Sequence, residues 1–163
     1  MLSRKTVDCL RRLAQQVFML AGLALFSATL VQGAEMSVPA RLAAHSLLLD
    51  VARADGRLVA VGGRGHVLLS TDAGKTWVQK IVPTRTLLTA VFFLNEQRGW
   101  AVGHDQTIMT TADGGQSWQL QHEDRSEDRP LFDIWFADAQ HGIAVGAYSL
   151  YLSRKMAGIT GNR

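Results

Sequence analysis

Cysteine is almost missing from this 163-residue chain: Cys9 is the only one, and it precedes an apolar stretch near the N-terminus. No internal disulfide can form, and the body of the chain has no thiolate for catalysis or metal binding. Proline is scarce as well, with three residues, so little in the chain interrupts extended backbone. An excess of charge of one sign is also lacking once the charges are located. Arg4, Lys5, Arg11 and Arg12 against Asp8 account for the whole formal charge of +3, and the remaining residues balance 13 basic against 13 acidic groups. The basic pI of about 9.4 therefore belongs to the N-terminal segment. That removes the electrostatic ground for a nucleic-acid-binding body. With 47% hydrophobic residues, disorder is excluded, and the length allows one domain at most.

The one long hydrophobic run, Val17 to Val31, is 15 residues. Spanning a bilayer core takes roughly 20. Preceded by the four basic residues and followed by Val31-Gln32-Gly33-Ala34, it reads as an export signal over residues 1–34, the alternative being an uncleaved anchor. Arg11-Arg12 has poor flanks for a twin-arginine signal, so the general secretory route is expected. Residues 35–163 are then the working part, in the periplasm or an equivalent compartment.

Internal repetition organises that part. Ala60-Val61-Gly62 returns as Ala101-Val102-Gly103 and Ala144-Val145-Gly146, at spacings of 41 and 43. Eight residues after the first two glycines begin Ser70-Thr-Asp72-Ala-Gly74-Lys-Thr76-Trp77 and Thr111-Ala-Asp113-Gly-Gly115-Gln-Ser117-Trp118. An apolar string precedes each Ala-Val-Gly, as in Leu131-Phe-Asp-Ile-Trp-Phe136. Short apolar runs bounded by glycine and aspartate turns read as strands, and Pro83 and Pro130 fall between units. A period near 41 with about four strands per unit predicts an all-β fold of propeller-like blades. The units are about 45–85, 86–129 and 130–163, two and a half to three blades of an incomplete ring.

The Ser/Thr-x-Asp-x-Gly-x-Thr/Ser-Trp strings are Asp-boxes. Asp72 and Asp113 are expected to accept backbone N–H bonds across a turn, and Gly74 and Gly115 to supply positive φ. Trp77 and Trp118 are expected to wedge between neighbouring blades. Every position is thereby explained without catalysis.

Joined to Leu88-Thr-Ala-Val-Phe-Phe93 and Gly99-Trp-Ala-Val-Gly103, these boxes resemble the photosystem II stability/assembly factor-like propellers, a family within the BNR/Asp-box repeat proteins. The resemblance covers about residues 45–153. It implies an exported, non-enzymatic propeller that binds protein, photosystem II components in a phototroph, through basic contacts and without a cofactor. Relatives in non-photosynthetic bacteria have less defined roles. Sialidases share the boxes, so a glycoside hydrolase or glycan-binding propeller is the competing class. That chemistry needs an arginine triad, a nucleophilic tyrosine and an acid/base carboxylate over six blades. The two tyrosines here, Tyr148 and Tyr151, sit at one strand of a chain too short for the rest.

The third unit departs from the pattern. Ten residues after Gly62 and Gly103 stand Asp72 and Asp113; ten after Gly146 stands Met156. Back-translated and read one base earlier, with third bases free to choose, the tail can give an Asp-Gly-Gly-x-x-Trp string in register, which suggests a frameshift near codon 155 in a longer propeller gene. A natural short protein, or a non-functional product, are the alternatives. Two open inter-blade faces would leave such a chain marginally stable and prone to self-association through its blade edges.

Candidate sites follow from position. Arg64 and Asp105 occupy equivalent places after the repeated glycine, so both are expected on one face of the blades, with His104 beside Asp105. Arg85, in the inter-unit loop, is expected to join Arg64 in a basic partner-binding surface. His45, His66, His104, His122 and His141 show no metal-ligand spacing, so no metal site is expected. Glu123 to Arg129 reads as a mixed-charge spacer.

Overall fold

The computed structural model describes residues 35–155 and 158–161; the candidate export signal lies outside them. Among the described residues, twelve strands form three four-stranded antiparallel sheets, each in simple up-and-down order. The first sheet contains β1 (Leu48–Ala54), β2 (Arg57–Gly62), β3 (Val67–Ser70) and β4 (Val78–Lys80). The second contains β5 (Leu88–Phe93), β6 (Gly99–Gly103), β7 (Ile108–Thr111) and β8 (Gln119–His122). The third contains β9 (Leu131–Phe136), β10 (Gly142–Gly146), β11 (Tyr151–Lys155) and β12 (Gly158–Gly161). The architecture is that of propeller blades, all-β as the repeat predicts. The third unit, expected to break off, still has four strands: β12 pairs with β11 from Leu152↔Gly161 to Lys155↔Gly158. Backbone pairing alone makes an outer strand, without an Asp-box.

The blades are equivalent in detail. The first strand of each carries the same register shift against its neighbour, at Leu48/Asp50, at Leu88/Ala90 and opposite Val145/Gly146. Such a bulge bends and twists the strand at the same point in every unit. Strand alternation then sends the alanine of each Ala-Val-Gly to one side of its blade and the valine to the other. Val61 and Ala101 meet in one core, with Val59, Val91, Met109 and Trp118. Val102 and Ala144 meet in the next, where Trp100 stacks on Phe136 at 3.6 Å between ring centres. Polar bonds cross the same junctions. Val91 N–H donates to Asp50 Oδ2 at 2.8 Å, and Thr89 Oγ1 donates to the Leu131 carbonyl at 2.6 Å.

The two outer faces differ in how far they are covered. Before β1, residues 36–46 lie against the first blade, and Ala43 packs in a small core with Ala60 and Leu68. The cover is partial: Val51 is 56% exposed, whereas its equivalent Val91 is 6% exposed. The far face of the third blade has no such cover among the described residues. Trp135, Ile143, Val145 and Tyr151 are exposed there, at positions whose second-blade equivalents (Phe92, Trp100, Val102 and Ile108) pack into a core.

Candidate functional site

The Asp-boxes form the turns between β3 and β4 and between β7 and β8. In the first, Ser70 Oγ donates to Asp72 Oδ1 at 2.8 Å and accepts from Gly74 N–H at 2.9 Å. Asp72 also accepts from Thr76 N–H at 2.9 Å and from Thr76 Oγ1 at 2.6 Å. Asp113 repeats this with Gln116 N–H and Ser117 N–H, both at 2.9 Å, with the Ser117 hydroxyl, and with Thr111 Oγ1 at 2.8 Å. Gly74 and Gly115 have φ of 86° and 87°, a conformation costly for any residue with a Cβ. The carboxylates are consumed by the turns. Trp118 is buried between the first two blades and donates through Nε1 to the Gly115 carbonyl at 3.2 Å. Trp77 is only half-buried, with no further blade against its face among the described residues.

These bonds act on acidity. Hydrogen bonds from the Thr76 side chain, the Thr76 backbone and Ser70 lower the Asp72 pKa to about 2. Burial pushes the Asp113 carboxyl up, but bonds from Ser117, Thr111 and Gln116 outweigh it and leave the pKa below its usual value. Both folded values lie below the unfolded one of about 3.9, so the folded chain prefers the ionised form. The stability that results from Asp72 is present above about pH 4 and is lost as pH falls through about 2, and that from Asp113 is lost in the same direction as pH falls. Unfolding midpoints measured between pH 2 and 6 should fall in that window, and should fall less in an Asp72→Asn, Asp113→Asn chain. Equal slopes would show that other groups govern acid unfolding.

A second constellation gathers at one end of the first blade. The β2–β3 turn puts Arg64 in the left-handed region at φ 58°, as the β6–β7 turn does Asp105 at 54° and the β10–β11 turn does Tyr148 at 54°. Non-glycine residues rarely adopt this conformation, and it marks one equivalent position on three consecutive blades. Next to Arg64, Gly65 donates its N–H to the Thr86 carbonyl at 2.8 Å. A Cβ on Gly65 would lie 2.2 Å from the Thr84 carbonyl oxygen, so the turn sits directly on residues 84–86. That contact brings Arg64 and Arg85 to one cleft of about 390 Å³, lined also by His66, Val38, Pro39 and Ala40.

Arg85 is already engaged there, with Nη1 2.6 Å from Glu35 Oε1 and Nε donating to the Met36 carbonyl at 2.7 Å. His66 is buried, its Nδ1 2.7 Å from Ser46 Oγ. Because the Ser46 hydroxyl donates to the Ala43 carbonyl at 2.6 Å, it accepts from His66, which assigns the proton to Nδ1. Burial, and then the Arg64 charge, lower the His66 pKa.

His104 and Asp105 lie on the next blade and do not line the cleft. Asp105 Oδ2 is 3.8 Å from Arg125 Nε, so the stretch read as a spacer supplies a cation that offsets that carboxylate. His66 and Tyr148 are not among the site residues that the sequence pattern marks. Counting two residues from each repeated glycine would have found Tyr148, but nothing local marks His66 or Glu35 as neighbours of the two arginines.

Two blades closed by Asp-box turns and a third four-stranded blade without one define a propeller segment. Residues 79–130 match the family model described as photosynthesis system II assembly factor YCF48. Over that part, about a third of its length, the chain resembles the photosystem II assembly factor-like BNR propellers. Among solved structures, the chain is similar to YCF48 bound to D1 peptide, with 21% identity and a TM-score of 0.62 over 78% of this chain and 42% of that one. YCF48 from Cyanidioschyzon merolae gives 19% identity and a TM-score of 0.57, over 72% and 39%. An ancestral GH74 enzyme gives 16% and 0.55, over 71% and 20%. The chain thus spans less than half the length of these structures, and at such identities the likeness shows the fold.

Proposed function

We propose that this chain is a non-enzymatic, exported binding module that captures an acidic segment of a protein partner in the Arg64–Arg85 cleft. The partner is a photosystem II component where the host is phototrophic. The observation that carries the reading is the cleft itself. Arg64 and Arg85, from separate loops, line one cleft at a blade end, and Arg85 already holds a carboxylate and a peptide carbonyl. Paired planar donors of this kind suit carboxylates and extended peptides. The YCF48 structure with a D1 peptide supports a peptide as the ligand class.

Export rests on the basic and apolar character of residues 1–34 and places the module in the periplasm or, in a phototroph, the thylakoid lumen. The glycoside hydrolase reading has the likeness to the GH74 enzyme in its favour, yet both box aspartates are held in turn bonds. Titration of the full chain with a D1 peptide tests the proposal. Arg64→Glu and Arg85→Glu should each weaken binding about tenfold or more, with a loss that shrinks at high salt. Binding equal to the unmodified chain in both variants would remove the cleft from the function, and release of sugar from glycans would favour the hydrolase.

A further inference from the structure

Residues 35–40 contact the first blade as a bound peptide would. Gln79 clamps the stretch from its side-chain amide: Nε2 donates to the Val38 carbonyl at 3.0 Å and Oε1 accepts from Ala40 N–H at 2.8 Å. Three residues on, Val82 exchanges two bonds with Ser37. Ser37 N–H donates to the Val82 carbonyl at 2.8 Å, and Val82 N–H donates to Ser37 Oγ at 3.0 Å. Ser37 is only 4% exposed, so this is a seated contact. Three residues further, Arg85 holds the Met36 carbonyl and the Glu35 carboxylate. Residues 79, 82 and 85 therefore form a ladder of polar contacts that reads an extended chain with an acidic residue at one end. Apart from the Ser37 hydroxyl, the groups recognised on the strap are backbone N–H and C=O groups and one carboxylate.

We infer that Arg85 is a receptor for the acidic end of an extended peptide, filled in the free chain by Glu35 at the end of the strap formed by residues 35–40, and that a partner's acidic segment binds by displacing Glu35 from Arg85. This rests on the proposed reading of the cleft, of which Val38, Pro39 and Ala40 form one wall. The exchange is feasible because the charged end is held weakly. The Arg85 and Glu35 side chains are 48% and 51% exposed, and exposed pairs of this kind contribute little and are screened by salt. The inner end, at Ser37 and Gln79, is anchored and keeps the strap near its site, where it competes at high effective concentration.

Glu35→Gln in the full chain tests this, since an exposed substitution leaves the blades intact. Hydrogen exchange of the Ser37 amide should quicken several-fold, because that bond lies two residues from the released end. In the D1-peptide titration, the variant should bind about two- to five-fold tighter at low salt. The gain should vanish near 1 M salt and be absent when Arg85→Gln is added. Unchanged Ser37 exchange, or binding no tighter than that of the unmodified chain, would overturn the strap as a competitor. Faster Ser37 exchange in a chain that binds no peptide, modified or not, would uphold the hold of Glu35 on Arg85 and reject the reading of the cleft as a partner site.

Discussion

Replacing Trp118 by alanine should cost about 3–5 kcal/mol, a large share of the 5–15 kcal/mol that typically holds a domain together. The indole is buried in the core shared by the first two blades, among Val59, Val61, Val67 and Met109. It meets Phe93 edge-on, with ring centres 6.3 Å apart, and its Nε1 holds the Asp-box turn through Gly115. Truncation would open a cavity lined by both sheets, and neither can collapse into it without parting from the other. Trp77 is the internal control. It stands at the same place in its Asp-box but packs against the small core of Ala43, Ala60 and Leu68 and is half-buried. Trp77→Ala should cost only about 1–2 kcal/mol, the value of a partly buried side chain. Urea unfolding at constant m-value measures both. Equal losses would show that the inter-blade core is not what stabilises the chain.

Gly103→Ala should be nearly as severe, about 3 kcal/mol or more, for a reason unrelated to conformational freedom. A Cβ there would lie 2.1 Å from the Leu87 carbonyl oxygen and 2.9 Å from Leu88 Cα, and neither backbone atom can swing aside. The Leu87 carbonyl is fixed by His104 N–H at 2.9 Å, where the bulged β5 crosses the end of β6. Gly62 and Gly146 meet the carbonyls of Leu47 and Pro130 in the same way, at 2.1 and 2.3 Å. The glycine that ends each Ala-Val-Gly is therefore required by close backbone approach, once per blade. Gly56→Ala is the contrast: nothing lies within 4 Å of a Cβ there, and thermal melting should be almost unchanged. A Gly103→Ala chain that melts with Gly56→Ala would mean that β5 can shift at no cost.

Much of this molecule was legible in its sequence because the information is local and repeated. The Ala-Val-Gly spacing gave the repeated unit of about four strands, since each unit is a meander whose partners lie within about forty residues. The Asp-box bonds were legible for the same reason: Asp72 reaches Thr76, and Asp113 reaches Ser117, four residues away. The equivalence of Arg64 and Asp105 followed by counting, and both turns adopt the same left-handed backbone.

The cleft was legible only in half. Arg64 and Arg85 could be suspected of sharing a surface, but His66, Glu35 and the strap could not. Arg85 meets Met36 across 49 positions, and Gln79 meets Val38 across 41, with no repeat to announce either contact. The difference between the two ends was equally hidden. By itself the sequence determined a repeated four-stranded unit, the turn that closes it and the residue type that each blade face requires, because backbone geometry and strand alternation act within one unit. Only the tertiary structure decided which faces are covered, that two arginines share a cleft, and that the chain lays its own acidic segment on one of them. Those outcomes depend on packing between residues far apart in sequence, and no local propensity encodes that.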